Sequence, residues 1–198
     1  MAVAAAPAPV GLAVSPDGQW LYATSELARA APASAQGTLT VISLRRAETD
    51  PAASLVATVA AGCSPVRVIT SASGSVVWVT ARGSDRVLGF SAARLRTDPT
   101  HSMIASVEVG EAPVGLALVD GGRRIVVADS NRFSASGASS SLAAVDVVAA
   151  LAGRPALLGY LPAGGFPREM ALEPDGRTLL VSNFSSGQLE AVDVADLP

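Results

Sequence analysis

Few residues in this chain can do covalent or acid–base chemistry, and their scarcity narrows the reactions open to it. All 14 basic residues are Arg and there is no Lys. Schiff-base formation, a phosphate-loop lysine and a Ser–Lys pair are therefore excluded. His101 is the single histidine and Cys63 the single cysteine. One histidine rules out a multi-histidine metal site within a chain, and one cysteine rules out an internal disulfide or a thiolate cluster. No cofactor is expected. His101 follows Asp98-Pro99-Thr100 in what reads as an outer turn, away from any pocket a general base would have to face. Cys63 stands just before Pro65 and reads as a small buried thiol.

The arginines offer more. Arg67 and the pair Arg168–Glu169 lie one or two residues after prolines that recur along the chain. Guanidinium groups there could hold a carboxylate or phosphate in a bidentate manner. The competing reading is an internal pair between Glu169 and either arginine. A second set, Arg82, Asp129, Asn131 and Asn183 with Glu26, falls in the loops that follow a recurring strand. Loops on a rigid scaffold often carry function, though a solvated rim is the plainer reading. Asp17, Asp120 and Asp175 sit in turns and read as turn formers. Asp146 and Asp193 share a repeated position and read as structural hydrogen-bonders. Arg45, Arg46, Arg94 and Arg96 read as exposed charges on an outer edge, where they discourage strand pairing.

The elements that must position these residues follow from an internal repeat. Pro9, Pro65, Pro113 and Pro167 are each followed nine residues later by a glycine, Gly18, Gly74, Gly122 and Gly176. The intervals between the prolines are 56, 48 and 54 residues. That is one four-stranded blade per repeat, against the ~40–50 residues of known propeller repeats. The stretch from Gly164 to Val194 gives the pattern: a strand at Met170–Glu173, the turn Glu173-Pro174-Asp175-Gly176, a strand at Thr178–Ser182 and a third at Gln188–Val194. The fold expected is all-β, a propeller of four-stranded antiparallel blades, about four in this chain. The blades run approximately over 7–62, 63–110, 111–164 and 165–198, with 1–6 as a candidate closing strand. Two longer polar insertions, Glu26–Gly37 and Asn131–Ser141, read as surface loops, and Val148–Leu151 as a helical turn.

The second strands end Tyr22-Ala23-Thr24-Ser25, Trp78-Val79-Thr80-Ala81, Val126-Val127-Ala128-Asp129 and Leu180-Val181-Ser182-Asn183. Together with the preceding turns and the later Val-Asp-Val of the third strands, they resemble the YVTN-family, or YncE-like, β-propeller repeat proteins over essentially the whole chain. The resemblance implies a seven-bladed propeller, often exported, similar in fold to lactonase-type propellers. No catalytic motif of those enzymes maps onto residues here. Seven blades take roughly 50° of a circle each, so four span little more than half. A half-propeller or a piece of a larger one is expected, with self-association through uncovered blade faces.

Net charge is −3 with both signs interspersed, which argues against nucleic acid as partner. No apolar run is long enough for a transmembrane helix. Met1–Val10 lacks a basic start and is broken by Pro7 and Pro9, so it does not read as a signal peptide, although the resemblance implies a periplasmic or extracellular setting. The functional expectation is a non-catalytic binding scaffold for a protein or small ligand. The alternatives are a lactonase-like hydrolase of a sugar-acid lactone and a truncated propeller without independent function.

Overall fold

Residues 2–3, 5–27, 36–133 and 140–198 are described by the structure, a computed structural model. They form four antiparallel meanders in chain order. The first comprises β1 (Pro9–Val14), β2 (Trp20–Ser25), β3 (Gln36–Ser43) and β4 (Leu55–Cys63). The second comprises β5 (Pro65–Thr70), β6 (Val76–Ala81), β7 (Arg86–Ser91) and β8 (Met103–Glu108). The third comprises β9 (Pro113–Val119), β10 (Arg124–Asp129), β11 (Ser141–Asp146) and β12 (Leu157–Pro162). The fourth has three strands, β13 (Pro167–Leu172), β14 (Thr178–Asn183) and β15 (Gln188–Asp193). Residues 2, 3, 5 and 6 lie in no strand; Ala6 instead accepts a hydrogen bond from Ser25 Oγ of the first sheet. The centres of the two polar insertions, 28–35 and 134–139, lie outside the described residues.

Each repeat enters its first strand in the same way. The four recurring prolines open β1, β5, β9 and β13. The residue before each, Ala8, Ser64, Ala112 or Phe166, has φ between 46° and 55°. A left-handed non-glycine residue is uncommon, and for bulky Phe166 it is costly. The pairing of first with second strand is then irregular just past the proline, at Pro9/Gly11, Pro65/Arg67 and Pro167/Glu169, with the matching irregularity opposite Val127/Asp129 in the third sheet. This is a repeated bulge, which re-aims the strand and frees a backbone N–H. At the other end, Gly18 and Gly176 take φ of 68° and 70°, the left-handed turn position that glycine occupies without strain.

Short helices fill the connections between third and fourth strands: α1 (Leu44–Thr49), α2 (Ala92–Thr97) and α3 (Val147–Leu151). The last residue of each third strand caps them. Ser43 Oγ accepts from the Arg46 N–H, Ser91 Oγ from Arg94 and Asp146 Oδ1 from Ala149. Asp193 caps a 3-10 turn, Val194–Asp196, in the same manner. Only α3 was legible in the sequence. At six residues or fewer these helices are too short for an apolar period to show. Pro51 and Pro99 begin further 3-10 turns beyond α1 and α2.

By internal contacts the chain divides into two compact units, Met1–Ser84 with Leu88–Ile104, and Asp85–Val87 with Ala105–Pro198. The core of the first is built on Tyr22, Leu39, Val41, Val77, Val79, Phe90 and Leu95. The core of the second is built on Val119, Val126, Leu142, Leu179, Val181 and Leu197. Both are assembled from inward positions of alternating strands, at which every second residue faces one side. Among the described residues no helix is long and apolar enough to cross a membrane.

Candidate functional site

The recurring end of the second strand explains itself residue by residue. Its third position carries a hydroxyl in three repeats, and that hydroxyl receives the N–H freed by the bulge. Gly11 N–H donates to Thr24 Oγ1 (3.0 Å), Arg67 N–H to Thr80 Oγ1 (3.1 Å) and Glu169 N–H to Ser182 Oγ (3.2 Å). The Thr24 hydroxyl also donates to the carbonyl of Val66 on β5 (3.1 Å), tying the first sheet to the next.

The fourth position is filled by Asp129 and Asn183 in the last two repeats. Sequence reasoning offered both as candidate ligand-binding loop residues, with a solvated rim as the plainer alternative; they are buried, at 1% and 2% exposure. Each lies beneath the glycine three residues before the anchoring proline. A Cβ on Gly110 would fall 2.4 Å from Asp129 Oδ2, and one on Gly164 would fall 2.4 Å from Asn183 Nδ2. Both glycines exist to admit these side chains. Asn183 Nδ2 donates to Glu190 Oε2 at 2.8 Å. Asp129 Oδ2 accepts from Ser141 Oγ at 3.1 Å, while Asp129 Oδ1 has no hydrogen-bond partner among the described residues. Burial pushes the Asp129 carboxyl up to about 7, against the opposing hydrogen bonds from Ser141 and the Gly110 N–H. Asp85 adds a smaller push in the same direction. Tyr160 is raised first by burial and then by the negative charges of Asp129 and Glu108.

The remaining candidates are scattered. Arg67 is half-buried on β5, and Glu169 is exposed on β13. Arg168 is exposed on β13, with its guanidinium 5.5 Å from the Phe184 ring centre. Arg82, just after β6, pairs with Glu26 at 3.1 Å, both side chains mostly shielded. Asn131 is half-buried at φ 51°, and its N–H donates to the Glu111 carbonyl. His101 is exposed and hydrogen-bonded to Asp98, as expected of an outer turn. Cys63 is a free, half-buried thiol whose N–H donates to Ser84 Oγ. Hydrogen bonds from the Ser15 hydroxyl and then the Gln19 N–H hold the Asp17 carboxyl below the usual range, and the Arg177 and Thr178 N–H groups do the same for Asp175. Among the described residues no group of three or more His, Cys, Asp and Glu is arranged to hold a metal ion.

Sequence reasoning missed one constellation, in the second unit. Phe133, Arg132, Phe166, Phe184 and Arg168 form a continuous row. The Arg132 guanidinium lies 5.0 Å from the ring centres of both Phe133 and Phe166. Phe166 meets Phe184 edge to face at 5.4 Å, and Arg168 lies over Phe184. Phe166, in its left-handed conformation, is held by a hydrogen bond from its N–H to Ser140 Oγ and by the Phe184 N–H on its carbonyl. Phe133 and Phe184 are 63% and 65% exposed. The signal available was scarcity: the chain has four Phe, and three of them stand in loops beside the second strands or an anchoring proline.

The fold has clear counterparts among solved structures. Hydrazine synthase from Kuenenia stuttgartiensis superposes with a TM-score of 0.67 at 18% identity, over 97% of this chain and 51% of that one. A candidate 6-phosphogluconolactonase from Bacteroides uniformis superposes at 0.66 and 18%, over 95% and 55%. A functionally unknown protein from Desulfotomaculum acetoxidans superposes at 0.63 and 16%, over 93% and 55%. No protein-family model matches the chain, and no curated protein matches it in sequence. The fold is a β-propeller array. The chain spans about half the length of the solved structures it matches.

Proposed function

We propose that this chain is a binding module, a YVTN-type propeller scaffold that presents the arginine–phenylalanine row of its second unit to a partner or small ligand. The observation that carries this reading is the pair of rings, Phe133 and Phe184, left open to solvent in a chain only 4% aromatic. Aromatic and Arg side chains are the commonest anchors of binding surfaces. The motif residues Thr24, Thr80, Ser182, Asp129 and Asn183 are meanwhile engaged in blade construction. That repeated use of the hydroxyl and carboxyl or amide positions also supports the finer YVTN, YncE-like reading. A thermal-shift screen with acidic aromatic compounds and short acidic peptides tests the proposal. A stabilising ligand whose shift disappears in Phe184→Ala and persists in Arg86→Gln is the expected result. A screen in which every shift survives Phe184→Ala overturns it.

A lactonase-like hydrolase is the second reading. It is supported by the fold likeness to the candidate phosphogluconolactonase and by Arg67 and Arg168 on first strands. Acid release from glucono-δ-lactone and its 6-phosphate, followed at constant pH, separates the two. The binding module gives only the spontaneous rate. Turnover that falls in Arg67→Gln or Arg168→Gln, with folding intact, would establish the hydrolase.

A further inference from the structure

A cleft of about 950 Å³ in the first unit lies at the end of the blades opposite to the loops that follow the second strands. It is bounded by Gln19 and Trp20 at the start of β2, by Ser43 with Arg45 and Arg46 of α1, and by Arg96 of α2. The edge arginines that the sequence suggested as a deterrent to strand pairing are thus gathered, three of four, around one concavity. Among the described residues no carboxylate lines it. Among the described residues none of the three forms an ion pair.

Arg96 is held in place rather than free to wander. Its guanidinium lies 4.8 Å from the Trp20 ring centre. It also faces the hydroxyl of Tyr22, which is 0% exposed and has no well-formed hydrogen bond. Asp17, whose carboxylate is taken up by Ser15 and the Gln19 N–H, is the acidic group within electrostatic range of Arg96. Arg45 and Arg46 are exposed on a helix anchored by the Ser43 cap. Three arginines lining one concave surface bring positive charge to it, and a guanidinium is a planar fork suited to a carboxylate or a phosphate. Gln19, Ser43 and Thr49 supply neutral polar groups at the same wall.

We propose that this cleft binds a small organic polyanion, one that presents two or more carboxylate or phosphate groups. The site is separate from the arginine–phenylalanine row, and neither depends on the other.

Isothermal titration of the full chain with inorganic pyrophosphate and, in parallel, with citrate tests this at low ionic strength, where screening is weakest. One-to-one saturable binding of at least one probe is expected, and the tighter of the two names the oxyanion class. The double variant Arg45→Gln/Arg46→Gln, both exposed and remote from the core, should weaken that binding at least about tenfold, as loss of charge-assisted hydrogen bonds implies. Arg96→Gln should do the same and alter the quenching of Trp20 fluorescence on binding. Arg177→Gln, at an exposed arginine in the turn between β13 and β14, should leave the affinity unchanged. Absence of saturable binding by both probes overturns the proposal. So does unchanged affinity in the double variant, or an equal loss in Arg177→Gln, which would mark a diffuse charge effect.

Discussion

Thr24 satisfies two backbone groups with one hydroxyl, the Gly11 N–H and the Val66 carbonyl, in a site closed to water. Thr24→Val keeps the shape and strands both groups. A loss of about 1–3 kcal/mol in urea unfolding is expected. Ser182→Ala removes the equivalent hydroxyl where the bond is exposed, and should cost under about 0.5 kcal/mol. Equal losses would refute the idea that burial, and not the motif as such, sets the value. Asp129 makes a prediction of opposite sign. Its folded carboxyl titrates at about 7, above the ordinary 3.8, so the native state holds a proton that the unfolded chain releases. Its contribution is complete below pH 4, falls as pH rises through the interval to about 7, and is flat above. The total is of the order of 4 kcal/mol. The fourth repeat already places a neutral amide, Asn183, at this position. Asp129→Asn should therefore raise stability at pH 8 and flatten the slope between pH 4 and 7. Unfolding curves for both proteins at pH 5 and 8 give the answer, and parallel pH profiles would exclude the buried proton.

At the scale of elements, neighbouring first strands approach so closely that side chains are excluded. A Cβ on Gly11 would sit 2.3 Å from the Val66 carbonyl oxygen, and one on Gly115 would sit 2.9 Å from the Arg168 carbonyl oxygen. Gly11→Ala must push backbone, with a loss of about 1–3 kcal/mol or more; Gly115→Ala should lose less. Reversal of that order in thermal or urea unfolding would contradict the packing described. These glycines, with Arg67 and Glu169, occupy the position two residues after each anchoring proline. At two of these four positions, Gly11 and Gly115, neighbouring strands touch. The strand order, the turns and the prolines were legible because each has a local chemical cause that repeats four times. The burial of Asp129 and Asn183 was not, because it depends on Gly110 and Gly164, some twenty residues away in the chain. The convergence of Arg45, Arg46 and Arg96 was equally hidden, since it joins helices from two different repeats.

At the scale of the molecule, the sheets differ in how well they are covered. On one face of the fourth sheet Met170, Leu172, Leu179, Val181 and Val192 pack into the core of the second unit. On the other face, Ala171, Leu180, Leu189 and Ala191 are exposed, Leu189 at 86%. In the first unit Val10, Leu12 and Val14 stand exposed on β1, Leu12 at 66%. In a propeller each blade is faced by a neighbour on both sides, and uncovered apolar patches of a few hundred Å² drive association in water. The 198-residue chain should accordingly form oligomers whose mass rises with concentration in size-exclusion chromatography with light scattering. Leu12→Ser combined with Leu189→Ser should shift the population towards the 19.8 kDa single chain without changing its circular dichroism. A strictly monomeric wild type over the same concentrations would mean that these faces are tolerated bare. An oligomer indifferent to both substitutions would place the contact elsewhere.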